Sequence, residues 1–318
     1  MGERGGSDSR PPVVIVTGPT ASGKTAIGIR LARRFGGEIL NADSMQVYRY
    51  LDIGTAKPTL AERAGVPHHL IDIVTPNVQY NAGRYAGDAR RAAREVHGRG
   101  RVVFLVGGTG LYIQAFLEGL MEGGAADPER RRALEEEHRL AAAAGEPRRL
   151  HDRLASLDPE SAERIHPNDL VRVIRALELI EQSGRPVSEL RRSHRLREHR
   201  YRTLHLVIDP GPEKLKARID ARCVQMIEAG LLQEVRSLRD RGYGPELSCM
   251  RAIGYRHMQP VIDGADTLAN VLVEMQRDTR HFARRQRTWL RSLRDAVWME
   301  PEDEEELQEA VETFLRGA

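Results

Sequence analysis

Cysteine is nearly absent from this chain: Cys223 and Cys249 are the only two in 318 residues. Two thiols exclude a disulfide framework and a four-thiolate zinc site, and they fit a reducing compartment. Long apolar runs are missing as well. No stretch approaches the roughly 20 consecutive apolar residues that a membrane helix requires. The opening segment Met1–Pro12 carries no apolar core of a secretory signal. These absences lead to the expectation of a cytoplasmic protein with no membrane partner. Lysine is scarce: Lys24, Lys57, Lys214 and Lys216 are the only lysines among 49 basic residues, and the other 45 are arginine. Codon bias in a G+C-rich genome is the simplest account of that total. Arginine is nonetheless the better fork for phosphate, so placement is the informative quantity.

What is present is enough for one large or two smaller folded domains. Apolar residues make up 40% of the chain. The mean hydropathy is −0.49. Together these exclude an integral membrane protein and a fully disordered chain. The formal charge is +3, from 49 basic and 46 acidic residues. Residues 1–12 read as a flexible tail. Val13–Val16 reads as a buried strand, Thr17–Thr25 as a glycine-rich turn, and about Ala26–Phe35 as a helix stopped by Gly36-Gly37. Glu38–Asn41 is a second strand, Arg101–Val106 a third, and Leu204–Ile208 a fourth. Strand–loop–helix–strand order marks an α/β fold with a parallel sheet. Between residues 122 and 201 strand-like runs vanish. Asp127-Pro128 is a helix start, Gly145 a stop, and Pro147–Leu157, Pro159–Ile165 and Leu170–Ser183 read as further helices. The expected organisation is a core of residues 13–121 and 202–318 with an all-helical insertion at 122–201. Glu300–Glu306 reads as the solvated start of a terminal helix.

Gly18-Pro19-Thr20-Ala21-Ser22-Gly23-Lys24-Thr25 matches the phosphate-loop pattern G-x-x-x-x-G-K-[ST]. In that pattern successive backbone N–H groups wrap a phosphate oxygen, and the next helix points its positive end inward. Lys24 adds a point charge, and the Thr25 hydroxyl is placed to reach a Mg²⁺. A buried strand before the motif and a helix after it supply the required context. The motif specifies a di- or triphosphate ligand, ATP included, but not the reaction.

Ligands of open α/β sheets bind outside the carboxyl ends of the strands. Asp43 and Thr109 follow the second and third strands and should face the phosphate loop. A carboxylate at position 43 either ligates Mg²⁺, acts as a general base or caps the N-terminus of a helix. Asp209 ends the fourth strand, but Pro210-Gly211-Pro212 follows, which reads as a strand-to-turn junction. No acid is placed as in an ATP-driven motor. Arg218 and Arg222, one helical turn apart, either brace carboxylates or close over a diphosphate. Six arginines at 277, 280, 284, 287, 291 and 294 form one helical stripe with a single neighbouring acid, Asp278. Its length is about 25 Å. Phe282, Trp289 and Leu293 form an apolar stripe beside it. The arginines read as a surface for a polyanion, against the alternative of a solvated face with distant acidic partners. Arg172–Arg202 adds nine arginines against four glutamates.

Taken in order, several segments resemble the bacterial tRNA dimethylallyltransferase (isopentenyltransferase, IPP transferase) family. They are Gly18–Thr25, Asp43–Tyr48, Asp52–Pro58, Gly107–Tyr112, His166–Asp169 with Arg175–Glu178, Arg251–Arg256 and Asp278–Trp289. The resemblance runs from about Val13 to Trp298. It implies a phosphate-loop α/β core and an enzyme that moves a dimethylallyl group from dimethylallyl diphosphate to N6 of an adenine beside the tRNA anticodon, position 37. The phosphate loop, Lys24, Thr25 and Mg²⁺ would hold the diphosphate. Asp43 would be the general base, with Thr20, Thr109 and Arg222 completing the catalytic set. The RNA path would include Asp43, Ser44, Met45, Gln46, Thr109, Arg131, Val171, Arg172, Val173, Ile174 and Arg175. It would continue through Arg251, Ala252, Ile253, Gly254, Tyr255 and Arg256. The basic stripe adds Arg280, Arg284 and Arg287 as expected tRNA contacts, and the insertion would grip the anticodon stem-loop. The partners implied are tRNA and the donor, with the enzyme a monomer.

There are departures. Pro260 should interrupt the helix expected after Tyr255. Arg284-Arg285 stand where the family often has lysine. Glu122–Gly124 reads as a mobile hinge. The competing readings are a phosphate-loop small-molecule kinase, a prenyltransferase acting on free adenine nucleotides, and an RNA-binding protein with a vestigial nucleotide loop.

Overall fold

A computed structural model describes residues 9–120, 127–195 and 200–317. The residues read as a hinge, Glu122–Gly124, and most of the flexible tail lie outside that set. The chain folds as two compact units, Met1–Leu117 with Arg200–Ala318, and Glu118–His199.

The first unit is built on a six-stranded parallel sheet. Its strands are β1 (Pro12–Thr17), β2 (Glu38–Asn41), β3 (His68–His69), β4 (Val103–Gly107), β5 (Arg202–Ile208) and β6 (Ala296–Met299), in the order β3-β2-β4-β1-β5-β6. Four of these fall where the apolar runs predict. β3 and β6 do not announce themselves: one is two residues long, and the other is a short edge strand with half its residues exposed. β1 is apolar from Pro12 to Val16 and buried from Val13 to Thr17, because both its faces are covered, as parallel sheets require. Val13 and Ile15 pack with helices α2 (Ala82–Gly98), α3 (Gly110–Leu117), α9 (Pro212–Glu228), α10 (Leu231–Asp240), α11 (Tyr255–Ile262) and α12 (Leu268–Leu290). Val14 and Val16 pack with α1 (Lys24–Arg34) and the C-terminal α13 (Glu304–Arg316) on the other face.

Helix α1 begins at Lys24, two residues earlier than the hydrophobic pattern suggests. Gly23, at φ 93°, turns the chain directly from the loop into the helix. Helix α11 runs through Pro260 instead of stopping before it. The amide that proline lacks would serve Arg256 in the second position of a short helix. The helix ends at Ile262, and the amide of Ala265 closes on the Pro260 carbonyl at 2.8 Å. Helix α12 ends at Leu290, so Arg291 caps it and Arg294 lies beyond it. The expected stripe is therefore helical only from Arg277 to Arg287. Of its apolar companion, Trp289 packs against the core as expected, and the rest is corrected. Val271, Met275, Ala283 and Leu290 form the buried side of α12, while Phe282 is 39% exposed.

The second unit, over its described residues, is helical: α4 (Pro128–Ala143), α5 (Arg149–Leu157), α6 (Pro159–Arg164), α7 (Leu170–Ser183) and α8 (Val187–Arg195). Asp127 caps α4 by accepting hydrogen bonds from the amides of Glu129 and Arg130 at 3.0 and 3.1 Å. Asp158 caps α6 through Ser161 and also takes the Ser188 amide at 2.9 Å, tying α8 to the same carboxylate. Leu134, Leu150, Leu154, Val173, Ile174 and Leu177 form the core. Glu178 is fully buried there and accepts both prongs of Arg131 at 3.1 Å and Arg175 at 3.1 Å.

The carboxyl end of β4 meets the loop after β2 with no room for a side chain. A Cβ on Gly107 would lie 2.3 Å from the carbonyl of Ala42. Gly107→Ala is expected to destabilise the protein by about 3 kcal/mol through backbone displacement. Gly98→Ala, which meets open space, should leave stability unchanged. Urea unfolding midpoints of the two variants check this.

Candidate active site

The phosphate loop spans the gap between β1 and α1. Gly18 lies against the end of β5, where a Cβ would sit 2.3 Å from the Ile208 carbonyl oxygen. Lys24 curls back so that Nζ donates to the Pro19 carbonyl at 3.0 Å. Burial, reinforced by the positive charge of Arg222 and opposed by Asp43, pushes its ammonium down to about 8. Arg222 rises from α9 toward the same space. Burial also lowers its guanidinium from its ordinary value, against the pull of Asp43. Among the described residues Arg222 has no salt-bridge partner. Its neighbour Arg218 is committed elsewhere, donating to the Ser22 carbonyl at 3.3 Å and to Glu302 at 2.8 Å. The arginine pair is thus divided: Arg218 braces the loop against the segment before α13, and Arg222 lines the cavity.

Across from these cations stands Asp43. Its Oδ1 accepts from the amides of Met45 at 2.8 Å and Gln46 at 3.3 Å. One oxygen is a turn cap, and Oδ2 has no protein partner among the described residues. Thr109 accepts the Ser44 amide at 3.0 Å, and its own amide donates to the Ala42 carbonyl at 3.1 Å. The ends of β2 and β4 are therefore laced together at the site. Lys24, Thr25, Asp43, Thr109 and Arg222 line one cavity of about 800 Å³ inside the first unit.

Several expected contacts share that cavity: Thr20, Ala21, Gly23, Ser44, Met45, Gln46, Arg251, Ala252, Ile253, Tyr255 and Arg256. Gly18, Pro19, Ser22 and Gly254 are not among its lining residues. Two arginines of the stripe are not free. Arg280 pairs with Asp220, and Arg287 donates to Asp209 at 2.7 Å. For these two the distant-acid alternative holds, because the helix packs beside α9 and the end of β5, which supply the carboxylates. Phe282, Arg285 and Gln286 of α12 face the cavity. Asp278 collects Arg256, Arg277 and His257. Partial burial raises its carboxyl, but the hydrogen bonds from these three prevail and hold it at about 2. In the second unit the helical repeat divides the expected RNA contacts. Val171 is 76% exposed, whereas Val173 and Ile174 are buried in the core, so the expectation of an RNA contact through those two side chains is corrected.

Gln286 was not singled out by the sequence. Its Oε1 accepts the Thr20 amide at 2.8 Å, and its Nε2 donates to the Gly108 carbonyl at 3.0 Å. One amide thus joins the phosphate loop, the end of β4 and α12. The available signal was its place in the Asp278–Trp289 segment. Trp289, one turn on, seals the contact against Gly110, where a Cβ would lie 2.5 Å from the indole.

The chain is thus a phosphate-loop α/β protein in which one carboxylate and two cations, neither with a salt-bridge partner among the described residues, line a single cavity. Comparison with known proteins narrows this. Residues 46–293 match the family model described as IPP transferase, and residues 11–72 match that described as isopentenyl transferase. A tRNA dimethylallyltransferase of Anaeromyxobacter dehalogenans is 50% identical over 301 residues, covering 94% of this chain and 99% of that one. Another, from Desulfatibacillum aliphaticivorans, is 46% identical, with 96% and 99% covered. Among solved structures, the tRNA isopentenylpyrophosphate transferase of Bacillus halodurans aligns with a TM-score of 0.70 at 38% identity, covering 97% of this chain and 96% of that one. A eukaryotic dimethylallyltransferase acting on tRNA aligns at 0.75 and 29% identity, over 95% of this chain and 77% of that one. The chain belongs to the IPP transferase family, and it is a transferase enzyme.

The lowered Lys24 ammonium gives the site a pH signature. A bound diphosphate favours the charged form, so affinity is constant below pH 8 and falls as pH rises through 8, approaching tenfold per unit. Calorimetric titration of inorganic diphosphate into wild type and Lys24→Arg, which stays charged, separates this from the ligand's own ionisation. The two profiles should diverge above pH 8; parallel profiles would remove Lys24 from the binding equilibrium.

Proposed function

We propose that the enzyme transfers a dimethylallyl group from dimethylallyl diphosphate to N6 of the adenine at position 37, next to the tRNA anticodon, and releases diphosphate. The observation that carries this is the opposition of Asp43 to Lys24 and Arg222 across one cavity. The leaving group needs cations at its oxygens, and the nucleophile needs a base on the other side. An exocyclic amine is a weak nucleophile because its lone pair is delocalised into the ring. As the N6–C1 bond forms and the C1–O bond breaks, Oδ2 of Asp43 accepts the N6 proton. The electron pair of the broken bond stays on the diphosphate, where the loop amides, Lys24 and Arg222 stabilise it. Thr109 holds the Ser44 amide and so keeps the Asp43 turn at the end of β2. Thr20, locked by Gln286, completes the loop.

The donor set fits Mg²⁺ only as a shared ion. Among the described residues no group of three or more acidic, histidine or cysteine side chains could hold a metal. Thr25 is the side chain in position to supply an oxygen, with the diphosphate and water supplying the rest. Bound there, the ion would add positive charge to the leaving oxygens.

The apolar wall of Ile219, Met226, Met275 and Phe282 suits a five-carbon tail, which a phosphoryl transfer to a small acceptor would not need. The adenine must leave the anticodon stack to reach Asp43. In the second unit, Arg131, Val171, Arg172 and Arg175 would meet the anticodon stem-loop. Arg251, Ala252, Ile253, Tyr255 and Arg256 would meet the anticodon loop at the cavity, with Arg284 and Arg285 on its phosphates. The enzyme would act as a cytoplasmic monomer; among the described residues no helix is long and apolar enough to cross a membrane.

The test is an incubation with radiolabelled dimethylallyl diphosphate, Mg²⁺ and unmodified tRNA. Label should enter RNA. Asp43→Ala should reduce transfer by at least about a hundredfold while tRNA binding persists. Phosphorylation of a small acceptor by ATP, with no label in RNA, would overturn the proposal. Retained turnover in Asp43→Ala would leave Asp43 as a turn cap.

A further inference from the structure

Glu234 lies in the first turn of α10, outside the lining of the cavity. Its carboxylate nonetheless accepts four hydrogen bonds from the two segments that form the cavity's wall. Oε2 takes the amides of Asp52 at 3.1 Å and Ile53 at 2.8 Å. Oε1 takes the amide of Gly54 at 3.3 Å and the hydroxyl of Tyr255 at 2.6 Å. Three successive amides turned to one point form the kind of nest that binds an anionic ligand. Here the protein's own carboxylate fills it. The hydroxyl of Tyr255 is drawn to the same oxygen, so the ring lies flush with the loop. A Cβ on Gly54 would come within 2.4 Å of that ring.

The consequence reaches the base. Once the 52–54 turn is fixed, the carbonyls of Thr55 and Ala56 point at Gln46, whose Nε2 donates to them at 3.1 and 3.4 Å. An amide side chain that spends its NH₂ on two carbonyls presents its oxygen on the other side. Gln46 is 7% exposed and lines the cavity, next to Met45 in the chain and three positions from Asp43. Its Oε1 is then an acceptor beside the carboxylate that receives the N6 proton. Adenine has two hydrogens on N6, one for each of these acceptors. Guanine carries a carbonyl oxygen at the corresponding position, which would face two acceptors and be repelled. Swinging the Gln46 amide through half a turn would reverse that preference.

We propose that Glu234 is a positioning residue for base selection. By holding the 52–54 turn and Tyr255 it fixes the Gln46 amide with its oxygen toward the target base. This rests on the proposed action on a tRNA adenine. Sequence pattern does not reveal it, because Glu234 acts through backbone amides 180 residues away.

The experiment uses the full-length enzyme with two forms of one tRNA, bearing adenine or guanine at the target position. Glu234→Gln places a donor against the nest, and Tyr255→Phe removes only the hydroxyl, so a folded variant remains if the first is unstable. Three quantities are measured: the KM for tRNA, the KM for dimethylallyl diphosphate and the ratio of the two tRNA dissociation constants. In Glu234→Gln the KM for tRNA should rise about tenfold, with the KM for the donor within twofold of wild type. The adenine-to-guanine affinity ratio should fall at least fivefold, and Tyr255→Phe should move it the same way by less. If both variants keep the wild-type ratio, or if both KM values rise together, Glu234 only stabilises the fold and the inference is wrong. Wild-type enzyme is the internal control. If it transfers nothing to the adenine-bearing tRNA, the proposed function fails and takes this inference with it. If it transfers normally while the variants keep the ratio, only the inference fails.

Discussion

Two cations and one carboxylate share a single cavity, and the rest of the structure serves that imbalance. Lys24 and Arg222 are both held where burial penalises their charge. Asp43 opposes them, yet one of its oxygens is already spent on the turn after β2. Neither cation is neutralised by a salt bridge among the described residues. An unpaired charge in such a place is costly unless a ligand of opposite sign completes it. In the proposed reaction the diphosphate of the donor is that ligand, with the phosphate-loop amides as its further donors.

The fold's close approaches exist to keep those three groups in register. Gly107 lets β4 meet the backbone of Ala42, and Gly18 lets the loop rest on the end of β5. Gly110 admits the Trp289 indole, and Gln286 then ties α12 to both the loop and β4. Arg218 fastens the loop to Glu302, just before α13. The arginines of α12 divide along the same lines. Arg280 and Arg287 are anchors onto Asp220 and Asp209, while Arg285 turns to the cavity. The scarcity of lysine also acquires a meaning at two positions. Lys24 lines the cavity. Lys57 is buried, and its ammonium joins Tyr48, Asp52 and Asp72 at 2.9, 2.7 and 2.5 Å, which holds the 48–57 loop beneath the Glu234 nest.

Much of this was legible from the chain, for physical reasons. β1 and β4 are read correctly because a strand buried on both faces is a nearly unbroken apolar run, and β2 and β5 because shorter apolar stretches, Ile39-Leu40 and Leu206–Ile208, sit at α/β spacing from them. The phosphate loop is read because glycine, lysine and threonine at fixed spacing have few other uses. Asp43 and Thr109 follow from the rule that ligands gather at strand carboxyl ends. Other features leave no local trace. β3 and β6 are pairings supplied by their neighbours. Arg280 and Arg287 look like a free charged face because Asp220 and Asp209 lie 60 and 78 residues away. Gln286 and Glu234 act on backbone amides, which every residue possesses, so no pattern of side chains marks them. Pro260 was misjudged because a proline's effect depends on which carbonyl it abandons, and in α11 that carbonyl is in the first turn.

In the proposed reaction the two cations select a prenyl diphosphate over a nucleotide. Equilibrium binding of dimethylallyl diphosphate and of ATP, each with Mg²⁺, to wild type and Arg222→Gln measures that selection. Wild type is expected to prefer the prenyl diphosphate by at least tenfold, and Arg222→Gln to lose most of that affinity. A wild-type enzyme that binds ATP as tightly or more tightly, with no effect of the Arg222 substitution on the donor, would contradict it.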